Sequence, residues 1–588
     1  MIVGDGALDV PLIEFKMFVS AGDKTPPYGF RVSPSFPDKH QFLKLKEVKT
    51  MKKMKDFDNF GIMLPVAYKS SMSLAAMKRF FKTIASMGYN QVFLYTEDKL
   101  EVDNEPYHGY MRGRYSQNEI IELDEYAASV GIELIPCVQT LAHLSGLALW
   151  GDQYKIDSAD VLLCDDERTY TYIDNLFASC RKCFKTDKIH IGMDEAHSLG
   201  LGRHLALHGY ESKISIMKRH LARVNEIAAK HGYEEPMIWS DMLFYGWNNG
   251  VYVVPKQEVP EEYKTAIPKN VIPVFWDYYH VKETDYSDML EMHKEISEKT
   301  WFAGGIWNWI GFIPNNYYTV KSMKPALDAC RKNGIRNVMM TLWCGNGDCS
   351  YFSNLPSIFY IAEYARGNRD ESDIKAKFER KFGIPYDEFT NIDRVNFITN
   401  NWTYVTHPRN CADYMVYSDP FRGYLDYTVK KGGSATFVEV GALLEATAKK
   451  TRTYGYIFEL GARLCSLMEV KYELGVKLRE AYQAGDREEL RRIADDEMAK
   501  EPGRIRAFAK AFKKQWDKEN KPCGYQYWAH MFGGLEERAK YERSRVVDYL
   551  EGRAESIEEL GWELLPYKQK GESWWYKNPR VSIGLCSK

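Results

Sequence analysis

The sequence predicts a (β/α)8 barrel followed by a C-terminal α-helical domain, and three observations carry that expectation. Eight short apolar runs alternate with amphipathic stretches over about 285 residues, which is the rhythm of a single α/β barrel. No GxGxxG or GxxxxGK follows any of the runs, so the rival fold, an open doubly wound sheet, lacks a phosphate-binding loop. Beyond about residue 355 the runs fade and only helical spacing remains. The 588 residues would on average make roughly four domains, but one barrel alone can take roughly 200 to over 400 residues.

Each element follows from local pattern. Residues 1–55 contain Pro and Gly (TPPYGF, SPSFP) and a basic patch near Lys44–Lys55, and read as a lead-in rather than a domain. The barrel is expected over 56–355. Its strands are Phe60–Val66, Gln91–Tyr95, Ile132–Val138, Ile189–Met193, Met237–Ser240, Val271–Trp276, Phe302–Trp307 and Val338–Trp343. They are continuously apolar, as strands buried on both faces of a parallel sheet must be. Leu74–Met87, Ile120–Val130 and Ile214–Lys230 place apolar residues on one helical face between them. The helical domain is expected over 356–588. There Tyr456–Tyr482 spaces Ile457, Leu460, Leu464, Leu467, Leu474 and Leu478 as one stripe. Glu488–Ala499, Ile505–Trp516 and Gly534–Leu550 continue as charged amphipathic helices.

Composition narrows the function. A net charge of -2 supplies no field toward nucleic acid or anionic membranes, so neither is expected as a partner. No apolar run reaches the about 18 residues of a membrane-spanning helix, and MIVGDGALDVPLIEFK lacks the build of a signal peptide. The 11 cysteines are odd in number and dispersed, as in proteins that keep reduced thiols, so a cytoplasmic location is expected. Cys180 and Cys183 form a CxxC with no second ligand pair at matching spacing. No metal or cofactor is expected, and a homodimer through the helical domain is compatible with the size. Seven of the 14 tryptophans fall between Trp239 and Trp343. They make either a Trp-rich core or a pocket walled with flat apolar faces.

Active residues of a barrel project from the C-terminal ends of its strands. Read in order, those ends carry Tyr68 and Lys69; Glu97 and Asp98; Gln139 and His143; and Asp194 and Glu195. Then come Trp239 and Asp241; Trp276, Asp277 and Tyr278; Trp307 and Trp309; and Trp343, Asn346 and Asp348. Carboxylates beside indole faces suit a carbohydrate, which offers hydroxyls at its rim and C–H bonds on its face. Adjacent Asp194 and Glu195 cannot both be buried charges without one pKa rising, and a raised pKa is what a general acid near neutrality needs. A conventional retaining glycosidase also needs a carboxylate nucleophile about 5 Å from the acid. The seventh strand, where many barrels carry it, reads AGGIWNWIGF and has none. Glu97, Asp241 and Asp277 stay open as that partner. The other solution is a 2-acetamido group that attacks its own anomeric carbon, with one carboxylate stabilising the oxazolinium and its neighbour protonating the leaving oxygen.

His190-Ile191-Gly192-Met193-Asp194-Glu195 resembles the H-x-G-x-D-E signature of glycoside hydrolase family 20, the β-N-acetylhexosaminidases. LYTED (Leu94–Asp98), RGRY (Arg112–Tyr115), LIPCVQTLAHL (Leu134–Leu144), WSDM (Trp239–Met242), WDYY (Trp276–Tyr279) and CSYFSNLP (Cys349–Pro356) agree with its intracellular barrel-plus-helical branch. The resemblance implies that Asp194 orients the acetamide, that Glu195 is general acid and then base, and that Tyr278 bonds the acetamide oxygen. It implies that Trp276, Trp307, Trp309 and Trp343 wall the sugar subsite, that Asp348 binds a hydroxyl, and that His143 and Glu97 support the acid. Two departures stand out. Tyr68 takes the place of an arginine that usually holds sugar hydroxyls, with Lys69 beside it, and the eighth-strand segment Trp343–Asp348 is one residue shorter. Both touch hydroxyl recognition, so the expectation is an exo-acting, retaining, substrate-assisted enzyme on a glycan or glycoconjugate, with an altered sugar preference. The alternatives are a two-carboxylate β-glycosidase and a non-catalytic sugar-binding relative.

Some of these residues also have plainer readings. His190 can be a satisfied core histidine, and Trp239 and Trp247 can be core. His197, His204 and His208 read as a solvated helix or loop rather than a metal cluster. Trp574 and Trp575 read as packing for the helical domain.

Overall fold

Seven parallel strands form one curled sheet: Asn59–Pro65, Gln91–Tyr95, Glu133–Cys137, Met237–Trp239, Ile272–Trp276, Trp301–Gly305 and Asn337–Thr341. This computed structural model describes residues 54–150, 156–344, 347–396, 411–423 and 426–564. The lead-in up to residue 53, Asn346 and the pair Trp574 and Trp575 lie outside them. The last strand pairs with the first, Phe60 beside Val338 and Ile62 beside Met340, so the sheet rolls up. The remaining gap, between the third strand and Met237–Trp239, is filled by the segment expected as the fourth strand. His190 bridges Cys137 on one side and Met237 on the other. The hydrogen bonds run from Val138 N–H to His190 O at 2.8 Å and from Ile191 N–H to Met237 O at 2.8 Å. The barrel is therefore closed, but its fourth strand is reduced to bridges. Gly192 and Met193 adopt φ of 73° and 75°, left-handed values that end extended pairing just before Asp194.

The continuous apolar runs are explained by two cores. Met63, Phe93, Ile135, Val274 and Met339 point into the barrel. Their neighbours Ile62, Leu64, Leu94, Phe275 and Met340 point out against the helices. The helices begin where capping chemistry allows. Ser73 accepts from Ala76 N–H ahead of Leu74–Ala85, and Ser116 with Glu119 makes a capping box ahead of Gln117–Ser129. The third expected helix is found at Lys213–Lys230.

Past residue 355 the described residues are helical. The stripe expected as one helix over Tyr456–Tyr482 is two, Gly455–Lys471 and Leu474–Gln483. Glu497–Glu519 and Tyr525–Leu550 are the two longest. No described helix is long and apolar enough to cross a membrane.

Candidate active site

At the C-terminal ends of the strands a cavity of about 620 Å³ opens, lined by Tyr68, Tyr95, His143, Asp194, Glu195, Trp239, Trp276, Tyr278, Tyr279, Trp309 and Trp343. Backbone strain surrounds it. Tyr68, Glu97, His143 and Glu195 stand at φ of 58°, 47°, 59° and 49°, each just past one of the first four strands. Such left-handed non-glycine residues persist only where surrounding structure holds them.

Asp194 is buried. Its Oδ1 accepts from Gln139 Nε2 at 2.7 Å, and its Oδ2 lies 3.2 Å from His143 Nε2. Burial alone would raise its pKa. The His143 charge, with hydrogen bonds from His143 and Gln139, outweighs burial and holds it below the ordinary carboxylate value. Glu195 moves the other way, because burial and the neighbouring Asp194 charge both push it up. Its side chain is 43% exposed and its Oε2 is 3.6 Å from His143 Nε2. One imidazole thus sits between two carboxyls of opposite tendency. Burial works against the charged form of His143, yet Asp194, Glu195 and Glu97 together push it up to about 10.

Asp241 fixes the acid from below. It is fully buried. Its Oδ2 accepts the Glu195 backbone N–H at 2.9 Å and its Oδ1 accepts Trp276 Nε1 at 3.3 Å. Burial and the Asp194 charge push it up to about 8.

The aromatic wall is built by close approach. Trp276 stacks on Tyr278 at 5.3 Å, and Tyr278 meets Trp309 at 5.6 Å. Gly305 makes this possible: a Cβ there would lie 2.8 Å from the Tyr278 ring and 2.9 Å from Trp309. Trp343 stands edge-on to Tyr95 at 5.2 Å.

Other expected residues lie elsewhere. Trp307 does not line the cavity; it sits buried behind Trp309 at 4.4 Å and donates to Tyr278 O at 2.9 Å. Asp348 is also off the cavity wall, with Cys344 Sγ 3.4 Å from its Oδ1. Glu97 is buried behind Tyr95, whose hydroxyl donates to it at 3.1 Å; burial pushes it up to about 7. Asp277 is buried against His280 Nδ1 at 2.7 Å. His190 is a core residue, 4.3 Å from Trp239, and burial pushes it down to about 3. Among the described residues no group of three His, Cys, Asp or Glu is placed to hold a metal ion; His204 is instead buried near Asp165 and Glu211. Gln139 and Asp241 were legible only as strand-end polar groups, Tyr95 as a member of a strand run and Tyr279 as part of the WDYY segment; their contacts with the site depend on the closed barrel.

Two family models match the chain. The catalytic domain of glycosyl hydrolase family 20 matches residues 91–282, and the Glycoside Hydrolase 20C C-terminal domain matches residues 387–576. This chain is a member of glycoside hydrolase family 20. Among curated relatives, Hexosaminidase D of Bos taurus is 24% identical over 218 residues, 34% of this chain and 58% of that protein. Hexosaminidase D of Homo sapiens is likewise 24% identical over 218 residues, covering 41% of its length. The chain thus spans about half the length of the curated relatives it matches. Among solved structures, the chitobiase of Flavobacterium johnsoniae aligns with a TM-score of 0.44 at 15% identity, over 78% of each chain. The family 20 β-N-acetylhexosaminidase of Streptomyces coelicolor A3(2) aligns at 0.43 and 16%, over 57% of this chain and 69% of that one.

Proposed function

We propose that this family 20 chain is an exo-acting, retaining β-N-acetylhexosaminidase, cleaving terminal β-linked GlcNAc or GalNAc with the substrate's own acetamide as nucleophile. One observation carries the reading. Asp194 and Glu195 are the only carboxyl groups lining the cavity among the described residues, and their surroundings drive their pKa values apart. Two neighbours on one chain suit a division of labour rather than the paired attack of a two-carboxylate enzyme. The candidates for a separate nucleophile, Glu97, Asp241 and Asp277, are buried, each is bonded to a protein partner, and none lines the cavity.

In the first step the acetamide oxygen attacks the anomeric carbon as the glycosidic C–O bond breaks, and the Glu195 proton goes to the leaving oxygen. Asp194, kept charged by His143 and Gln139, accepts the acetamide N–H and stabilises the oxazolinium; Tyr278 bonds the acetamide oxygen. In the second step Glu195 takes a proton from water, which opens the ring on the same face. Tyr68, standing where an arginine is usual, favours an altered choice between GlcNAc and GalNAc. The buried thiols Cys137, Cys180 and Cys183 support a reducing location such as the cytoplasm.

Glu195→Gln tests the acid role. Hydrolysis of an aryl glycoside with a poor leaving group should fall by about 10²- to 10⁴-fold, the range for general acid catalysis, and an activated nitrophenyl substrate should suffer far less. Equal losses on both would show that Glu195 is not the acid.

A further inference from the structure

The loops after the second and third strands hold three aromatic side chains that the catalytic reading leaves unused. Tyr107, Tyr110 and Trp150 form a closed triangle, with ring centroids 5.8 Å apart for Tyr107 and Tyr110 and 5.3 Å from each to Trp150. Tyr107 and Tyr110 are 38% and 39% exposed, and Met111 and Leu149 beside them are 74% and 69% exposed. Clustered apolar surface left in water marks a binding face more than scattered residues do.

This face is held rigidly. His108, buried between the two tyrosines, has Nδ1 2.6 Å from Leu100 O and Nε2 3.2 Å from the Tyr172 hydroxyl. Arg114 Nη1 donates to His108 O at 2.6 Å. Gly109 turns the chain at φ of 64°, where a Cβ would lie 2.3 Å from Asp98 O. Rings fixed in this way lose little freedom on binding.

Its place matters as much as its chemistry. The third loop starts on the cavity wall at His143 and reaches Trp150 through one short helix, Ser145–Ala148. Leu144 N–H ties it to Asp160 O at 3.1 Å, and Asp160 is near enough to add to the repulsion felt by Glu195. The loop therefore begins at the cavity and carries Trp150 outside its lining, where an exo-acting enzyme meets only the sugars of the leaving group.

We propose that Tyr107, Tyr110 and Trp150 are a stacking platform for the sugars on the leaving-group side of the scissile bond. The natural substrate is then an oligosaccharide rather than a glycoside of a small aglycone. Aromatic faces on loops that leave a sugar cavity suit the C–H face of a pyranose. This inference rests on the hexosaminidase reading, so its test has two arms.

The first arm compares kcat/KM for a β-1,4-linked N-acetylglucosamine tetramer and for a nitrophenyl N-acetylglucosaminide, in wild type, Tyr110→Ala, Trp150→Ala and Tyr110→Phe. The tetramer-to-aryl ratio should fall by about tenfold in each alanine variant, the scale of losing one aromatic anchor, and should be kept in Tyr110→Phe. An unchanged ratio overturns the platform. The second arm measures tetramer binding by calorimetry with Asp194→Asn alone and combined with Tyr110→Ala. Weaker binding in the combined variant supports the platform even if wild type cleaves neither substrate, a result that would sink only the catalytic reading. Equal binding overturns the platform. Sedimentation closes the remaining route: if wild type is a dimer and Tyr110→Ala a monomer, the face is a subunit interface and the proposal falls.

Discussion

The two sides of the cavity are built by different parts of the chain. The catalytic carboxyls and the indoles Trp239, Trp276 and Trp309 come from the ends of the fourth to seventh strands and are held by barrel residues: Gln139 and His143 on Asp194, Asp241 under Glu195, and Gly305 letting Tyr278 and Trp309 close. The first-strand loop, which carries Tyr68, is held from outside the barrel. Lys521 N–H donates to Ser71 O at 2.7 Å, Ser73 N–H donates to Glu519 O at 2.8 Å, and Met72 pairs with Asn520 as an isolated bridge. Lys69 Nζ lies 3.6 Å from the centre of the Tyr527 ring. The eighth-strand loop is gripped by the same segment: Ser350 Oγ donates to Glu519 Oε1 at 2.5 Å and Gln515 Nε2 donates to Asp348 O at 3.2 Å. The two departures from the family pattern thus fall where the helical region docks. The acid–base side is self-contained, whereas the side assigned to hydroxyl recognition depends on residues 515–527.

That contrast can be broken from either side. The largest effect is expected at Asp194→Asn. Asparagine keeps the shape but loses the charge that faces the oxazolinium, and kcat/KM on N-acetylhexosaminides should fall by about 10²- to 10³-fold, as when one preorganised electrostatic partner is removed. A near-normal rate would remove Asp194 from the mechanism.

Asp241→Asn comes next. Asparagine offers one acceptor to two donors, Glu195 N–H and Trp276 Nε1, and an unmet buried donor should cost about tenfold in kcat/KM. The pH profile gives a second readout. Burial and the Asp194 charge hold Asp241 up to about 8, so below that pH it carries no charge to act on Glu195, and the alkaline limb, where the acid loses its proton, should stay in place. A limb that moves to lower pH would show a charged Asp241 acting on Glu195.

The smallest effect is expected at Tyr527→Leu, outside the barrel. Losing the contact with Lys69 removes about 0.5–1 kcal/mol and should loosen the first loop, raising KM by about two- to fivefold with kcat kept. A fall in kcat alone would contradict the division between the two sides.

The same contrast explains what could be read from sequence. Barrel strands were legible because residues such as Ile62, Met63 and Leu64 must be apolar on both faces. Asp194 and Glu195 were legible because they end such a run. The strand before them was overestimated, since the left-handed Gly192 and Met193 cut its pairing. Trp307 and Trp309 were indistinguishable because both lie past the end of regular strand geometry, where only packing decides which of them meets the cavity. The partners Gln139 to Asp194 and Asp241 to Glu195 span 55 and 46 residues, and no local pattern announces them. The docking of residues 515–527 on the first loop is further still from any sequence signal.

The central claim is that the substrate supplies the nucleophile. Its most direct test is kcat/KM for a series of aryl 2-acylamido glucosides in which fluorine successively replaces hydrogen on the acetamide methyl. If the acetamide oxygen attacks, each fluorine weakens it and log kcat/KM falls steadily along the series. A flat series, with turnover kept when the acetamide is replaced by hydroxyl, would show that an enzyme carboxylate does the attacking and would contradict the account.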